Sequence, residues 1–372
     1  MSGGRVAPPP GVDLSELTAA RGFAAAAVVL YHVDAYSRDA IGTLIPTDAL
    51  ARLAVDFFFV LSGFVLAHVY GAAWREGRYD HRDFLARRIA RIWPLHLVCL
   101  LGVAAIVGAG TFVGMAPPWT PTVAGFLEHA ALLNAVGLIR ENAWNQPSWS
   151  VGAEWTAYLC FPVYLAAVSA LRSPVAKLAA ALALAAILWA AVRAVFGLDL
   201  FNLTYWGAVR IVPSFFAGVA LRQIMETGAG TTIAPARLTW MTAGVLLAMA
   251  LAVLAGAPSI LVWPGLLALV YLLALKGLAP RGGLLRSRPL VWGGEISYAL
   301  YLAHAPVLMV TYGLGAKILG VSGPAGLIGL GALAAGLSVL AAAALHYVVE
   351  RPAQRFIVSR AGRPRKAAAA SA

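Results

Sequence analysis

Apolar positions along this chain run in long blocks, not in the spaced pattern of an amphipathic surface helix. Ten blocks of about 20 mostly apolar residues, the length a spanning helix needs, can be read: 17–36, 52–71, 92–115, 149–170, 175–196, 208–225, 238–256, 258–275, 292–312 and 324–349. The pattern predicts an all-α, polytopic integral membrane protein with about ten transmembrane helices. Residues 1–16 read as an N-terminal tail, 17–350 as the transmembrane domain and 351–372 as a basic C-terminal tail. The first sixteen residues are polar and Pro-rich, and no small-residue cleavage site follows the first apolar block. That block therefore reads as a retained helix.

Composition agrees. The chain has 372 residues, 61% hydrophobic and 12% charged, where a soluble domain carries about 25% charged residues. Its formal charge is +12, which by itself admits nucleic acid, anionic lipid or an anionic substrate. The placement of the charge decides: nucleic acid is not an expected partner, and membrane lipid is. With ten spans and the N-terminus inside, 21 of the 28 Lys and Arg fall in cytoplasmic loops, and the outer loops hold only Arg38, Arg140 and Lys317. This fits the positive-inside rule and puts both termini in the cytoplasm. A further apolar stretch at 121–138 would reverse every later loop if it spanned. It is read as a half-inserted or surface helix, in keeping with Glu128 and His129 at its middle. Cys99 and Cys160 both lie in apolar blocks and read as inert buried thiols. The Ala-rich tail after Lys366 reads as disordered.

Ionisable residues inside apolar blocks mark function more often than ornament. Arg21 and His32 are eleven residues apart in the first block. Eleven helical steps return to within about 20° of the starting direction and rise about 16 Å, so both side chains are expected on one face of one corridor. A core histidine bonded to a backbone carbonyl is the plainer alternative for His32. In the second block Asp56 reads as a solvated outer-end carboxylate, and Ser62-Gly63 reads as a close helix crossing. Arg88 and Arg91 are three apart and share a helix face. Two guanidinium forks there suit phosphate groups, or simply anchor the chain at lipid headgroups. Ser150, Glu154 and Tyr158 recur every fourth residue beside Trp149. Glu154 is placed to steer a hydroxyl or orient a histidine, or else to pair with Arg210. Ser297, Tyr301 and His304 share a face in the ninth block, where His304 is a second candidate for proton transfer beside the plainer reading of a packed, hydrogen-bonded histidine. No metal site is expected. On these residues alone a transporter or flippase with a polar path stays open, although no paired halves are visible.

Taken in order, the stretches resemble the acyltransferase 3 family. Arg21-x10-His32, FFFVLSGFVL, Arg88-x-x-Arg91, QPSWSVGAEWTAYLCFP, ISYALYLAHAPV and VVERPAQRF follow one another along nearly the whole chain. Ala153 departs from the bulkier residue often found before the Glu, and the resemblance is to the stand-alone form without a fused soluble esterase-like domain. The resemblance implies a multi-pass bacterial inner-membrane O-acyltransferase. Cytoplasmic acyl-CoA, acetyl-CoA in the first instance, serves as co-substrate and no cofactor is bound. The expected acceptor is in the first instance a hydroxyl of a surface polysaccharide or another glycan, with a lipid-linked saccharide or a small secondary metabolite left open. It carries over His32 as base, Glu154 as support for the acceptor side, and Arg21, Arg88 and Arg91 as donor contacts. Trp149, Ser150, Tyr301 and His304 are secondary candidates. The acyl group and the oligomeric state stay open.

Overall fold

Backbone amides withdrawn from water have to bond within their own segment, and a helix is the way a single segment does so. The structure, a computed structural model, describes residues 12–37, 45–115, 117–138, 144–278 and 283–361, and no strand occurs among them. Its α-helices are α1 (Ser15–Tyr36), α2 (Thr47–Arg75), α3 (His81–Phe112), α4 (Val123–Ala130), α5 (Trp149–Leu159), α6 (Phe161–Ala170), α7 (Pro174–Phe196), α8 (Gly207–Glu226), α9 (Pro235–Leu254), α10 (Ser259–Lys276), α11 (Arg288–Glu295), α12 (Ser297–Tyr312), α13 (Gly323–Leu345) and α14 (Arg351–Ala361). Arg5, Arg38, Arg140, Arg281 and the tail after 361 lie outside the described residues.

Among the described residues, eight helical stretches are long and apolar enough to cross a membrane, and a ninth joins them if the bent pair α5–α6 counts as one. This is a multi-pass membrane protein. Helix α1 has 22 residues, yet Arg21, His32 and Asp34 keep it out of that apolar set. The block read as one span at 149–170 is broken by 60° between Leu159 and Phe161. Pro162 has no amide hydrogen to continue the ladder, and the break leaves Cys160 exposed where the sequence suggested a buried thiol; Cys99 is buried. Helix α3 starts at His81, well before the block at 92, because the Asp80 side chain accepts from the amides of Arg82 and Asp83 and caps it. Arg88 and Arg91 are therefore helical residues. The stretch 121–138 forms only the eight-residue α4, about 12 Å long and too short to span. Glu128 and His129 are buried rather than solvated.

Two crossings without side chains set the packing around α1 and α2. A Cβ on Gly63 of α2 would overlap the Phe215 carbonyl of α8, and one on Gly218 of α8 would overlap the Val60 carbonyl of α2. On α11, a Cβ on Gly294 would overlap the Thr18 carbonyl of α1. The tight crossing read from Ser62-Gly63 is thus reciprocal, and backbone, unlike a side-chain tip, cannot swing away. Gly218→Ala is expected to lower the thermal unfolding midpoint of the purified protein by several degrees, at the upper end of the about 1–3 kcal/mol for overpacking. Gly244→Ala on α9, which meets open space, is expected to leave the midpoint unchanged.

Candidate active site

Helices α1, α2, α3, α5 and α12 enclose a cavity of about 220 Å³. Its contacts on α2 run from Val55 to Leu66, about 16 Å along the helix axis. One end is basic. Arg21 enters from α1, and Arg88 and Arg91 enter together from α3. Arg91 is ion-paired with Glu350, which is 1% exposed. The other Glu350 oxygen accepts from His346 Nδ1 at 2.9 Å. The Arg91 guanidinium also lies 5.6 Å from the centre of the Tyr298 ring. Arg88 rests 5.8 Å from the Phe84 ring and 6.0 Å from the Tyr70 ring, and its Nε meets no hydrogen-bond acceptor among the described residues. Three guanidiniums thus stand against two carboxylates, Glu350 and Glu154.

The helical spacing of Ser150, Glu154 and Tyr158 brings all three onto the cavity wall. Ser62 Oγ donates to Glu154 Oε1 at 2.6 Å. Glu154 shares the cavity wall with the three arginines, and among the described residues no hydrogen bond joins it to a histidine. Nor does it pair with Arg210, because α8 turns that guanidinium toward α2. There Asp56 takes it at 3.0 Å, with both side chains 2% exposed. The carboxylate expected in solvent is a buried counter-ion. Trp149 does not line the cavity. Its ring lies 5.1 Å from the Arg210 guanidinium and meets Phe59 edge-on at 6.2 Å, so it carries the packing behind the wall.

The end away from the arginines is closed by one hydrogen-bonded pair. Ser150 Oγ donates to Tyr301 Oη at 2.7 Å, and the Phe58 ring stands edge-on to Tyr301 at 6.1 Å. Behind this layer are two imidazoles. The fully buried His304 has its ring centre 6.1 Å from that of Tyr301 and 4.8 Å from that of His32. His304 Nδ1 donates to the Leu300 carbonyl at 3.1 Å, and its Nε2 is 3.3 Å from His32 Nδ1.

His32 is not a wall residue of the cavity. Arg21 and His32 share α1, but the expected continuous corridor is interrupted, because Tyr301 on α12 and Ser150 on α5 meet between them. His32 Nδ1 faces the Val28 carbonyl at 2.9 Å, and Nε2 faces Gln146 Oε1 at 3.1 Å. Two facing oxygens suit a doubly protonated ring that donates from both nitrogens. In a neutral ring with its proton on Nδ1, the Nε2 lone pair is satisfied when the carboxamide turns and the Gln146 nitrogen donates. The side chain opposite Nε2 can thus serve both charge states, which is what a proton-accepting imidazole requires.

Gln146, Glu350 and the Asp56–Arg210 pair escaped the sequence reading. Gln146 sits within the QPSWS stretch, four residues before Ser150, so its neighbourhood carried the signal. Nothing in the sequence pairs Arg91 with a residue 259 positions later.

A family model described as an acyltransferase domain, Acyl_transf_3, matches residues 14–346. The "Acyltransferase MdmB" of Streptomyces mycarofaciens is 31% identical over 94% of this chain and 94% of its own length. The "Protein 2 in picA locus" of Rhizobium radiobacter is 43% identical over 86 residues, 23% of this chain and 41% of that protein. No solved structure matches the chain. The match spans the arginine-lined cavity, the Ser150–Tyr301 layer and both imidazoles. The chain belongs to the acyltransferase 3 family and is an acyltransferase.

Proposed function

We propose that this protein is an O-acyltransferase that draws an acyl group from acyl-CoA at the cytoplasmic face of the bacterial inner membrane. It passes that group to a hydroxyl of a glycan or lipid-linked saccharide, with acetyl as the first acyl group to try. The observation that carries the reading is the polarity of the cavity: three guanidiniums at one end, a hydroxyl pair at the other, and imidazoles beyond.

An acyl-CoA has that same polarity. Its phosphates belong with Arg21, Arg88 and Arg91, where charge-assisted hydrogen bonds are strong. Its narrow arm suits a passage of about 16 Å along α2, and its thioester then lies at the Ser150–Tyr301 layer. The acceptor hydroxyl approaches from the His32 side and takes the place of the Gln146 carboxamide at Nε2. Imidazole titrates at about 6.5, so the neutral ring is available to accept the proton. The oxygen adds to the thioester carbonyl, the C–S bond breaks, and the CoA thiolate leaves toward the arginines. The proton on His32 returns to solvent or to the thiolate.

Donor affinity tests the basic end. The Arg88→Ala, Arg91→Ala double variant, carried on Glu350→Gln so that no lone carboxylate stays buried, is expected to weaken acetyl-CoA binding about a hundredfold relative to Glu350→Gln alone, from about 1.5 kcal/mol for each charged hydrogen bond. Arg78→Ala removes an exposed arginine paired with Glu76 and is expected to leave binding unchanged. Titration calorimetry reads both, and an unaltered affinity in the double variant makes the arginines lipid anchors.

A further inference from the structure

The Ser150–Tyr301 pair has a directionality that a wall does not need. The Ser150 hydroxyl has one proton and donates it to the nearer of two oxygens, Tyr301 Oη at 2.7 Å rather than the Pro147 carbonyl at 3.3 Å. Tyr301 therefore keeps its own proton for another acceptor. None occurs among the described residues, and the residue is 6% exposed and lines the cavity end. A buried hydroxyl proton with no acceptor among the described residues points to an acceptor in the ligand. Its ring is fixed by Phe58 and its oxygen by Ser150, so the donor is held before the ligand arrives.

We infer that Tyr301 is a catalytic residue, the oxyanion donor for the thioester carbonyl, and that Ser150 is its positioning residue. This rests on the acyl-CoA reading above. When the acceptor oxygen adds to the carbonyl carbon, the C=O electron pair moves onto the carbonyl oxygen, and Tyr301 O–H donates to that oxygen without transferring its proton. The tetrahedral adduct then reforms C=O and expels the thiolate, while the acceptor's proton has gone to His32. Preorganised donors of this kind act on charge that develops only during reaction, and removing one costs about 10²–10³ in kcat.

The test is Tyr301→Phe, which keeps the ring and the Phe58 contact. Purified protein is loaded with [1-13C]acetyl-CoA, and the thioester carbonyl stretch is read by difference infrared spectroscopy. The wild type is expected to shift the band to lower wavenumber than free acetyl-CoA. Tyr301→Phe is expected to return the band to the free position at unchanged affinity. Thiol release, with octyl glucoside or water as acceptor, is expected to fall about a hundredfold, with the KM for acetyl-CoA held. Ser150→Ala is expected to broaden the band and lose less rate. An identical band and an identical rate in Tyr301→Phe overturn this assignment alone. A wild type that does not bind acetyl-CoA, or releases thiol no faster than buffer, overturns the donor reading and this inference with it.

Discussion

His32→Ala is expected to leave a folded, membrane-inserted protein whose acyl transfer falls by about 10²–10⁴, the contribution of a positioned general base. Among the described residues the imidazole's hydrogen-bond partners are the Val28 carbonyl, Gln146 and His304, and the residue is only partly buried. Truncation therefore opens no sealed core and strands no charge. The basic end lies along α1 from it, about 16 Å from Arg21, so acetyl-CoA affinity is expected to hold. Gel filtration, donor calorimetry and thiol release together separate the outcomes. Lost transfer with retained binding places His32 in the chemistry, and full transfer removes it.

Arg210→Met is expected to be the most damaging single change to stability. It leaves Asp56, 2% exposed, without its counter-ion, and breaking a buried pair costs about 3–5 kcal/mol. The guanidinium also donates to the Arg52 carbonyl at 3.1 Å and lies above Trp149, so one side chain ties α8 to α2 and to the start of α5. The expected result is protein that does not survive extraction as a single species. Asp56→Ala combined with Arg210→Met is expected to regain part of the loss, because no lone charge then stays buried. Equal yields and thermal midpoints for the single and double variants contradict the pairing account.

How far the sequence carried the site follows from helical geometry. A period of 3.6 residues fixes which side chains of one helix are neighbours. Hence Ser150, Glu154 and Tyr158 could be grouped in advance, as could Arg88 with Arg91, and all five line one cavity. The period does not say how one helix is rotated against another. Arg210 was therefore offered Glu154 and took Asp56, and Arg21 and His32 were joined across a gap that Tyr301 fills from a different helix. Breaks are another case. Pro162 was visible, but whether a proline kinks a span or is absorbed depends on what packs beside it, and Pro94, inside α3, is absorbed. Reciprocal glycines were half legible: Gly63 announced a crossing, while its partner Gly218 sits 155 residues away in an ordinary apolar block.

The central claim is that a donor anchored at the arginines delivers its acyl end past Tyr301 to His32. Bromoacetyl-CoA tests it directly, since its bromomethyl carbon replaces the acetyl methyl and a nitrogen within reach displaces bromide. Peptide mass spectrometry after labelling of the purified protein is expected to find the adduct on His32. Excess acetyl-CoA is expected to protect it, and the Arg88→Ala, Arg91→Ala variant, carried on Glu350→Gln, to lose it. An unlabelled His32, with alkylation confined to the exposed Cys160 and indifferent to acetyl-CoA, contradicts the account.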